Sequence, residues 1–277
     1  MEEQELLKTP IKEEQQTKHF PILKIVIFFV ILLIIYIICT SRFLIKVKEY
    51  SITDSNLPTS FDGLKIVQIS DLHYGTSIKE FNLKMIVKKV NELKPDIIVF
   101  TGDLIDQNTE HSAKIKSELT YHLSTLEAKE AKLAIKGDND TEDYTDLLTS
   151  SGFTYLSDEA YPIYSNTSEV LNIIGLNSTT NLKTDSYQIA LIHEPDKIDN
   201  LLSNNYNLVL AGHSHGGEIR LPFIGGLVNY NGATKYKNRE YDLNSTKMYI
   251  TDGLGTSIIN LRLGTTPTIN FYRLYQY

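Results

Sequence analysis

The stretch FPILKIVIFFVILLIIYIICTS, residues 20–41, limits this chain more than any other, because it carries no charge from Ile25 to Cys39. A bilayer's hydrocarbon core is about 30 Å thick and takes about 20 helical residues to cross. The β-branched residues would suit a buried strand, but the run is too long for one. It therefore predicts a single transmembrane helix over 20–41, with Lys24 near one end reaching back to the interface. No A-x-A pattern follows, as a cleaved signal peptide requires. Ile38 is too large for the small residue that precedes a lipidated cysteine. Lys8, Lys12, Lys18 and Lys24 precede the run, and Arg42, Lys46 and Lys48 follow it. That balance favours a cytoplasmic N-terminus, with the large domain extracytoplasmic on a single-pass anchor in the cell membrane. Residues 1–19, rich in Glu, Gln and Lys without an apolar period, predict a disordered tail.

Positions 50–277 read as one α/β domain. LKIVQIS (64–70), DIIVFTGD (96–103) and AKLAIKGD (131–138) are short apolar runs of the buried-strand kind. Between the first two, Phe81, Met85, Ile86, Val90 and Leu93 recur at helical spacing, and residues 111–128 fit a second helix. Strand, helix, strand, helix, strand implies parallel neighbours with helices on the faces of a sheet. Later runs at 169–176, 187–193, 206–213, 247–253 and 268–275 are strand-like, with a short helix expected over Pro195–Leu202. A formal net charge of −7 without a basic stripe argues against a nucleic-acid duplex as partner. One cysteine, Cys39, excludes an intrachain disulfide and any cysteine-rich zinc cage. A single hydrophobic span excludes a channel or transporter subunit.

The best strands end in metal-ligand chemistry. They run into Asp71 and His73, into Asp103, into Asp138, into His193, and into His213 and His215. Ligands of open α/β sheets bind at the carboxyl ends of strands, so residues distant in sequence can meet there. Asp71 with His73, and His213 with His215, each put two donors on one side of an extended segment. Three clustered aspartates repel one another unless a cation lies between them. Taken singly, each residue has a plainer reading, as a helix N-cap or a core histidine.

Together, DLH (71–73), GD (102–103), GDND (137–140), the lone His193 and GHSHGG (212–217) resemble the calcineurin-like metallophosphoesterases. The likeness is strongest to a membrane-anchored bacterial branch, in which a hydrophobic segment precedes FDGLKIVQISDLHYG and the last motif reads like GHSHGGEIRLP. It implies a two-sheet α/β sandwich flanked by helices, with two divalent metal ions at the sheet ends. Asp71, His73 and His215 would hold one ion, Asp138, His193 and His213 the other, and Asp103 would bridge them. Mixed carboxylate and imidazole ligands suit Mn, Fe or Zn. The implied chemistry is hydrolysis of a phosphate ester, with ions about 3.5–4 Å apart holding the phosphate and an attacking hydroxide.

The family usually has Gly-Asn-His-Asp/Glu where this chain has GDND. By that resemblance Asp138 replaces an asparagine ligand and Asn139 replaces the histidine that protonates the leaving group. An amide is no general acid, and a positioned acid contributes about 10²–10⁴-fold. A phosphodiester or pyrophosphate substrate, whose leaving group needs less help, is therefore expected; the membrane anchor puts lipid- or cell-envelope-linked esters and nucleotides within reach of the site. Asp140 is expected as the cap of a helix beginning near Thr141. Arg220, in GGEIRLPFIGGLVNY (216–230), is a candidate phosphate contact. A catalytically weak metal-binding scaffold is the alternative. A serine hydrolase at Ser214 in Gly212-His-Ser-His-Gly216 fits poorly. Pro222 and a glycine pair follow where the nucleophile elbow needs a helix, and no histidine follows His215.

Overall fold

The computed structural model describes residues 20–177, 182, 184–221, 223–258 and 260–277, so the predicted tail lies outside the described residues. The chain divides after Tyr36 into two units. The first belongs to helix α1 (Phe20–Arg42), whose apolar window has mean hydropathy 3.3 and no buried residue. At about 1.5 Å per residue the helix is about 35 Å long, enough to cross a membrane.

The second unit is a two-sheet α/β fold. Its elements are β1 (Lys46–Asp54), β2 (Leu64–Ile69), α2 (Glu80–Glu92), β3 (Ile97–Phe100), α3 (Ala113–Ser124), β4 (Ala131–Ala134), α4 (Asp143–Ser150) and β5 (Thr154–Tyr155). There follow β6 (Glu159–Tyr164), β7 (Val170–Gly175), β8 (Tyr187–Ile192) and β9 (Leu208–Ala211), then the small hairpin β10 (Arg220–Leu221) and β11 (Gly225–Gly226). The chain ends with β12 (Glu240–Leu243), β13 (Thr246–Ile250) and β14 (Thr268–Gln276). The short helix expected over Pro195–Leu202 is a 3₁₀ turn over Pro195–Asn200.

One sheet has the order β1-β14-β2-β3-β4-β5 and the other β12-β13-β9-β8-β7-β6. β2 to β5 run parallel, as do β7, β8, β9 and β13. β2 is covered on both faces, so its apolar side chains point to both sides of the sheet. Ile66 enters the core between the sheets with Val99, Leu133, Ile173, Ile189 and Leu210. Val67 and Ile69 face the other way, under Leu83 and Ile86 of α2 and Leu119 of α3. Full burial of each such side chain stabilises the fold by about 1.5–3 kcal/mol. The outer face of the second sheet is closed by Ile198, Leu201 and Tyr206 over Val209 and Ile250. With both sheets fixed this way, the parallel strands present their carboxyl ends side by side.

Candidate metal centre

The seven candidate ligands all emerge at those carboxyl ends. Asp71 and His73 follow β2, Asp103 follows β3, Asp138 follows β4, His193 follows β8, and His213 and His215 follow β9. Five of them hold a left-handed backbone: Asp71 (φ 52°), His73 (42°), Asp103 (60°), His213 (66°) and His215 (47°). Such a backbone costs a non-glycine residue about 1–3 kcal/mol and persists where the surroundings impose it. The turns are tight enough that Gly137 is obligatory, since a Cβ there would lie 2.2 Å from Asp103 Oδ1.

The side chains meet as two groups, Asp71, His73, Asp103 and His215, and Asp103, Asp138, His193 and His213. Ligand atoms within each group lie within 4.8 Å of one another, and Asp103 belongs to both. His73 Nε2 is 3.2 Å from His215 Nε2 and 3.4 Å from Asp103 Oδ2. His193 Nε2 is 3.4 Å from Asp103 Oδ2, and His193 Nε2 and His213 Nδ1 are each 3.0 Å from Asp138 Oδ1. Donors about 2.1 Å from one ion and 90–110° apart are separated by about 3.0–3.4 Å. The spacing therefore fits one divalent cation in each group.

The ring orientations fit as well. A carbonyl only accepts, so the ring nitrogen facing one must donate. His193 Nδ1 donates to Thr101 O (2.6 Å), His213 Nε2 to Asn231 O (2.7 Å) and His215 Nδ1 to Gly255 O (3.1 Å). Each opposite nitrogen is left as a lone pair aimed into the cluster, the arrangement a metal-binding imidazole needs. The electrostatics agree. Burial opposes the charge on Asp103, yet the imidazoles of His193 and His73 hold its carboxyl well below the usual range. Burial also disfavours a charged His193, but Asp103 and Asp138 push it well above the ordinary histidine value. Burial, with the charge of Asp103 adding to it, raises Asp71. The centre favours positive charge, which divalent cations would supply while leaving the imidazoles neutral.

The GDND loop departs from expectation at one residue. Asp140 does not cap a helix. α4 begins at Asp143, and the residue before it is Glu142, with no side-chain cap. Asp140 Oδ2 accepts from Asp103 N and Gly137 N, and Oδ1 from Leu104 N, all at 2.8 Å. The carboxylate thus clamps the loop after β3 to the loop after β4. Burial, reinforced by the charge of Asp103, pushes its pKa up to about 6. Asn139 donates through Nδ2 to Asp103 Oδ2 (2.7 Å) and through its backbone N to Asp103 Oδ1 (3.0 Å). At the position of the expected acid stands an amide that holds the shared carboxylate.

Other residues of the centre carried no signal that the motifs alone reveal. Buried Asp106 lies 3.7 Å from His73 Nδ1 and completes the run GDLID. Arg262 is fully buried, with Nη1 donating to His215 O (3.3 Å) and Nη2 to Asp252 O (2.7 Å) and Gly255 O. The Tyr230 ring packs on His213 and His215, at 5.6 and 5.0 Å between centroids. Lys136 and Lys197 line a cleft that reaches Asp138 and His193. Arg220 lines a cleft with Ser214, Tyr230 and Lys237 that none of the seven residues lines. Buried Ser214 donates to Thr251 O (3.3 Å), so its hydroxyl is not presented to a base.

Comparison with known proteins gives a consistent picture. A family model described as calcineurin-like phosphoesterase matches residues 64–217. An uncharacterised metallophosphoesterase of Bacillus subtilis, YkuE, is 33% identical over 250 residues, covering 83% of this chain and 86% of that protein. LpxG of Chlamydia muridarum, a UDP-2,3-diacylglucosamine pyrophosphatase, is 31% identical over 61% of this chain and 70% of its own length. Among solved structures, the calcineurin-like phosphoesterase YfkN of Bacillus subtilis aligns at 13% identity with a TM-score of 0.40, over 69% of this chain and 82% of that one.

Proposed function

The chain belongs to the calcineurin-like phosphoesterase family, and on that premise we propose that it hydrolyses a phosphodiester or pyrophosphate bond while anchored in a membrane by α1. Asp71, His73 and His215 hold one divalent cation (Mn, Fe or Zn), Asp138, His193 and His213 a second, and Asp103 both. Bound there, the cations supply Lewis-acid polarisation of a phosphoryl oxygen and an activated water. The chain's own groups do the rest. Asn139 and Asp140 fix Asp103 and its loop, the backbone carbonyls fix the imidazoles, and Lys136 and Lys197 attract the anionic ester.

One observation carries the choice of bond. The side chain at the usual acid position, Asn139, is an amide already engaged with Asp103. It cannot serve as a general acid for a departing alkoxide. A leaving group that departs as a phosphate or another weak base needs no such help. The similarity to LpxG, named as a pyrophosphatase acting on a diacylated sugar nucleotide, supports a pyrophosphate and a lipid- or envelope-linked substrate. The lysine tally before α1 supports an extracytoplasmic site.

The test is a hydrolysis panel on the full chain in detergent, with an aryl monoester, an aryl diester and a nucleotide-sugar pyrophosphate, each with Mn, Zn and Mg. Diester or pyrophosphate turnover above monoester turnover is expected. Monoester preference overturns the reading. Folded, metal-loaded protein without turnover on any of the three favours the scaffold alternative.

A further inference from the structure

Exposed apolar side chains are unevenly placed on the folded unit. Among the described residues outside α1, exposed Phe, Leu, Ile and Val occur in four places. Phe43, Leu44 and Val47 follow the helix, Phe81 opens α2, Phe223, Ile224 and Leu227 belong to the β10–β11 hairpin, and Ile258 sits in the loop after β13. The sheet register puts all four at one end of the fold. Lys46 pairs with Thr268 and Asn270 with Gln68, so β1 starts where β2 finishes. α2 begins just past the carboxyl end of β2, the hairpin follows the carboxyl end of β9, and the Ile258 loop follows that of β13. This is the end that carries the seven candidate ligands.

These segments are also bonded to one another and to the end of the apolar helix. Ser41 Oγ accepts from Arg262 N at 2.7 Å and lies 3.0 Å from Arg262 O. The next residue, Leu263, receives Arg220 N (2.7 Å) and donates its N to Glu218 O (3.1 Å), at the root of the hairpin. The Phe43 and Phe81 rings are 6.3 Å apart. At the hairpin tip, Phe223 combines a left-handed backbone (φ 67°) with a side chain fully open to solvent. Both features are unfavourable in water, and burial of the ring removes one of them. Exposed apolar side chains gathered at one end of a fold mark a docking face. Its continuity with the residue where the apolar helix ends selects the occupant, because Ser41 necessarily lies at the surface of any bilayer that α1 crosses.

We propose that this rim rests on the bilayer, with the tip of the β10–β11 hairpin and Ile258 dipping into the interface, so that the mouth of the metal centre faces the membrane surface. Interfacial segments of this type bury their apolar side chains about 5–10 Å into the headgroup–acyl boundary. The site then meets phosphate esters at headgroup depth and is shielded from those in bulk solution. The inference rests on the membrane anchor proposed above.

The chain has no tryptophan, so single substitutions give an unambiguous reporter. Full-length Phe223→Trp, Ile224→Trp and Ile258→Trp variants are reconstituted in phosphatidylcholine–phosphatidylglycerol vesicles with and without brominated acyl chains. Ile34→Trp in α1 reports the anchor. Tyr164→Trp is the control, since Tyr164 is exposed and pairs with Val170, at the opposite end of the strands. Expected is loss of most emission in brominated vesicles for Ile34→Trp and the three rim variants, and none for Tyr164→Trp. Quenching of Ile34→Trp alone overturns the bilayer-docked rim and leaves the anchor standing. An unquenched Ile34→Trp overturns the anchor and the docked rim together. Equal quenching of Tyr164→Trp and Phe223→Trp also overturns the orientation.

Discussion

Three backbone N–H groups converge on the Asp140 carboxylate, and a sequence reader expects a helix cap because an aspartate before a helix usually is one. Nothing local separates the two roles, since the donors at Asp103 and Leu104 are more than 30 residues away. Asp140→Asn keeps the shape but turns an NH₂ toward one N–H. An orphaned donor costs about 2 kcal/mol, so the melting temperature should fall by about 4–8 °C. A melting temperature unchanged from wild type would show that the clamp carries no stability. Asn139 invites the reverse experiment. Restoring the family's pair, Asp138→Asn with Asn139→His, should raise monoester turnover selectively, by at most about 10²–10⁴-fold. The gain is limited by the lost bond from Asn139 Nδ2 to Asp103. An equal change on monoester and diester removes the leaving-group argument. His111 borders the same crevice as Asn139 and Asp140, with Nδ1 3.3 Å from Thr141 Oγ1. His111→Gln should leave the diester-to-monoester ratio unaltered. A selective loss on monoester would instead identify His111 as the missing acid.

At the scale of elements, the buried parallel strands were legible and the edges were not. β2, β3, β8 and β9 are covered on both faces, which makes them predominantly apolar, broken only by Lys65 and Gln68 in β2 and Gln188 in β8. β1 was missed because it is a sheet-edge strand that buries little beyond Tyr50 and Ile52, and Lys46, Lys48 and Glu49 break its pattern. β6 is the opposite sheet's edge and tolerates Pro162 for the same reason. α4 is short, acidic in its first turn and uncapped by any side chain. The candidate cluster was legible because its residues end the visible strands. Its support was not, because Arg262 earns its role only through distant partners. That guanidinium ties the loop carbonyls of Asp252 and Gly255 to the backbone of His215, and Gly255 O also accepts from His215 Nδ1. Burial lowers its pKa, and the nearby Asp252 and Glu218 charges counter that. Arg262→Met removes a buried charge from its partners and should cost about 3–5 kcal/mol. Arg262→Lys should recover part of it. Both variants should bind metal more weakly if Arg262 positions His215, whereas a purely structural Arg262 would lower the melting temperature and leave metal affinity intact.

For the molecule as a whole, the arrangement makes metal binding a folding event. The candidate ligands come from the ends of five strands, and His73 and His215 are 142 residues apart in sequence. An unfolded chain has no means of presenting them together, apart from local pairs such as His213 with His215. Any cation that binds the assembled centre therefore binds the native state alone and stabilises it by mass action. At free metal about 100 times its dissociation constant, each site contributes about 2.7 kcal/mol. Two sites give about 5 kcal/mol, or about 10–20 °C in melting temperature for a unit of this size. Stripping the full-length protein with a chelator should lower its melting temperature by that order, and added Mn or Zn should restore it. Asp103→Asn tests the sharing directly. Because Asp103 stands in both groups, its loss should weaken both ions and abolish most of the metal-dependent stabilisation, whereas Asp71→Asn should weaken one. A melting temperature indifferent to chelation, in protein that still folds, would mean that the cluster holds no cation and that its buried carboxylates and imidazoles pair only with each other.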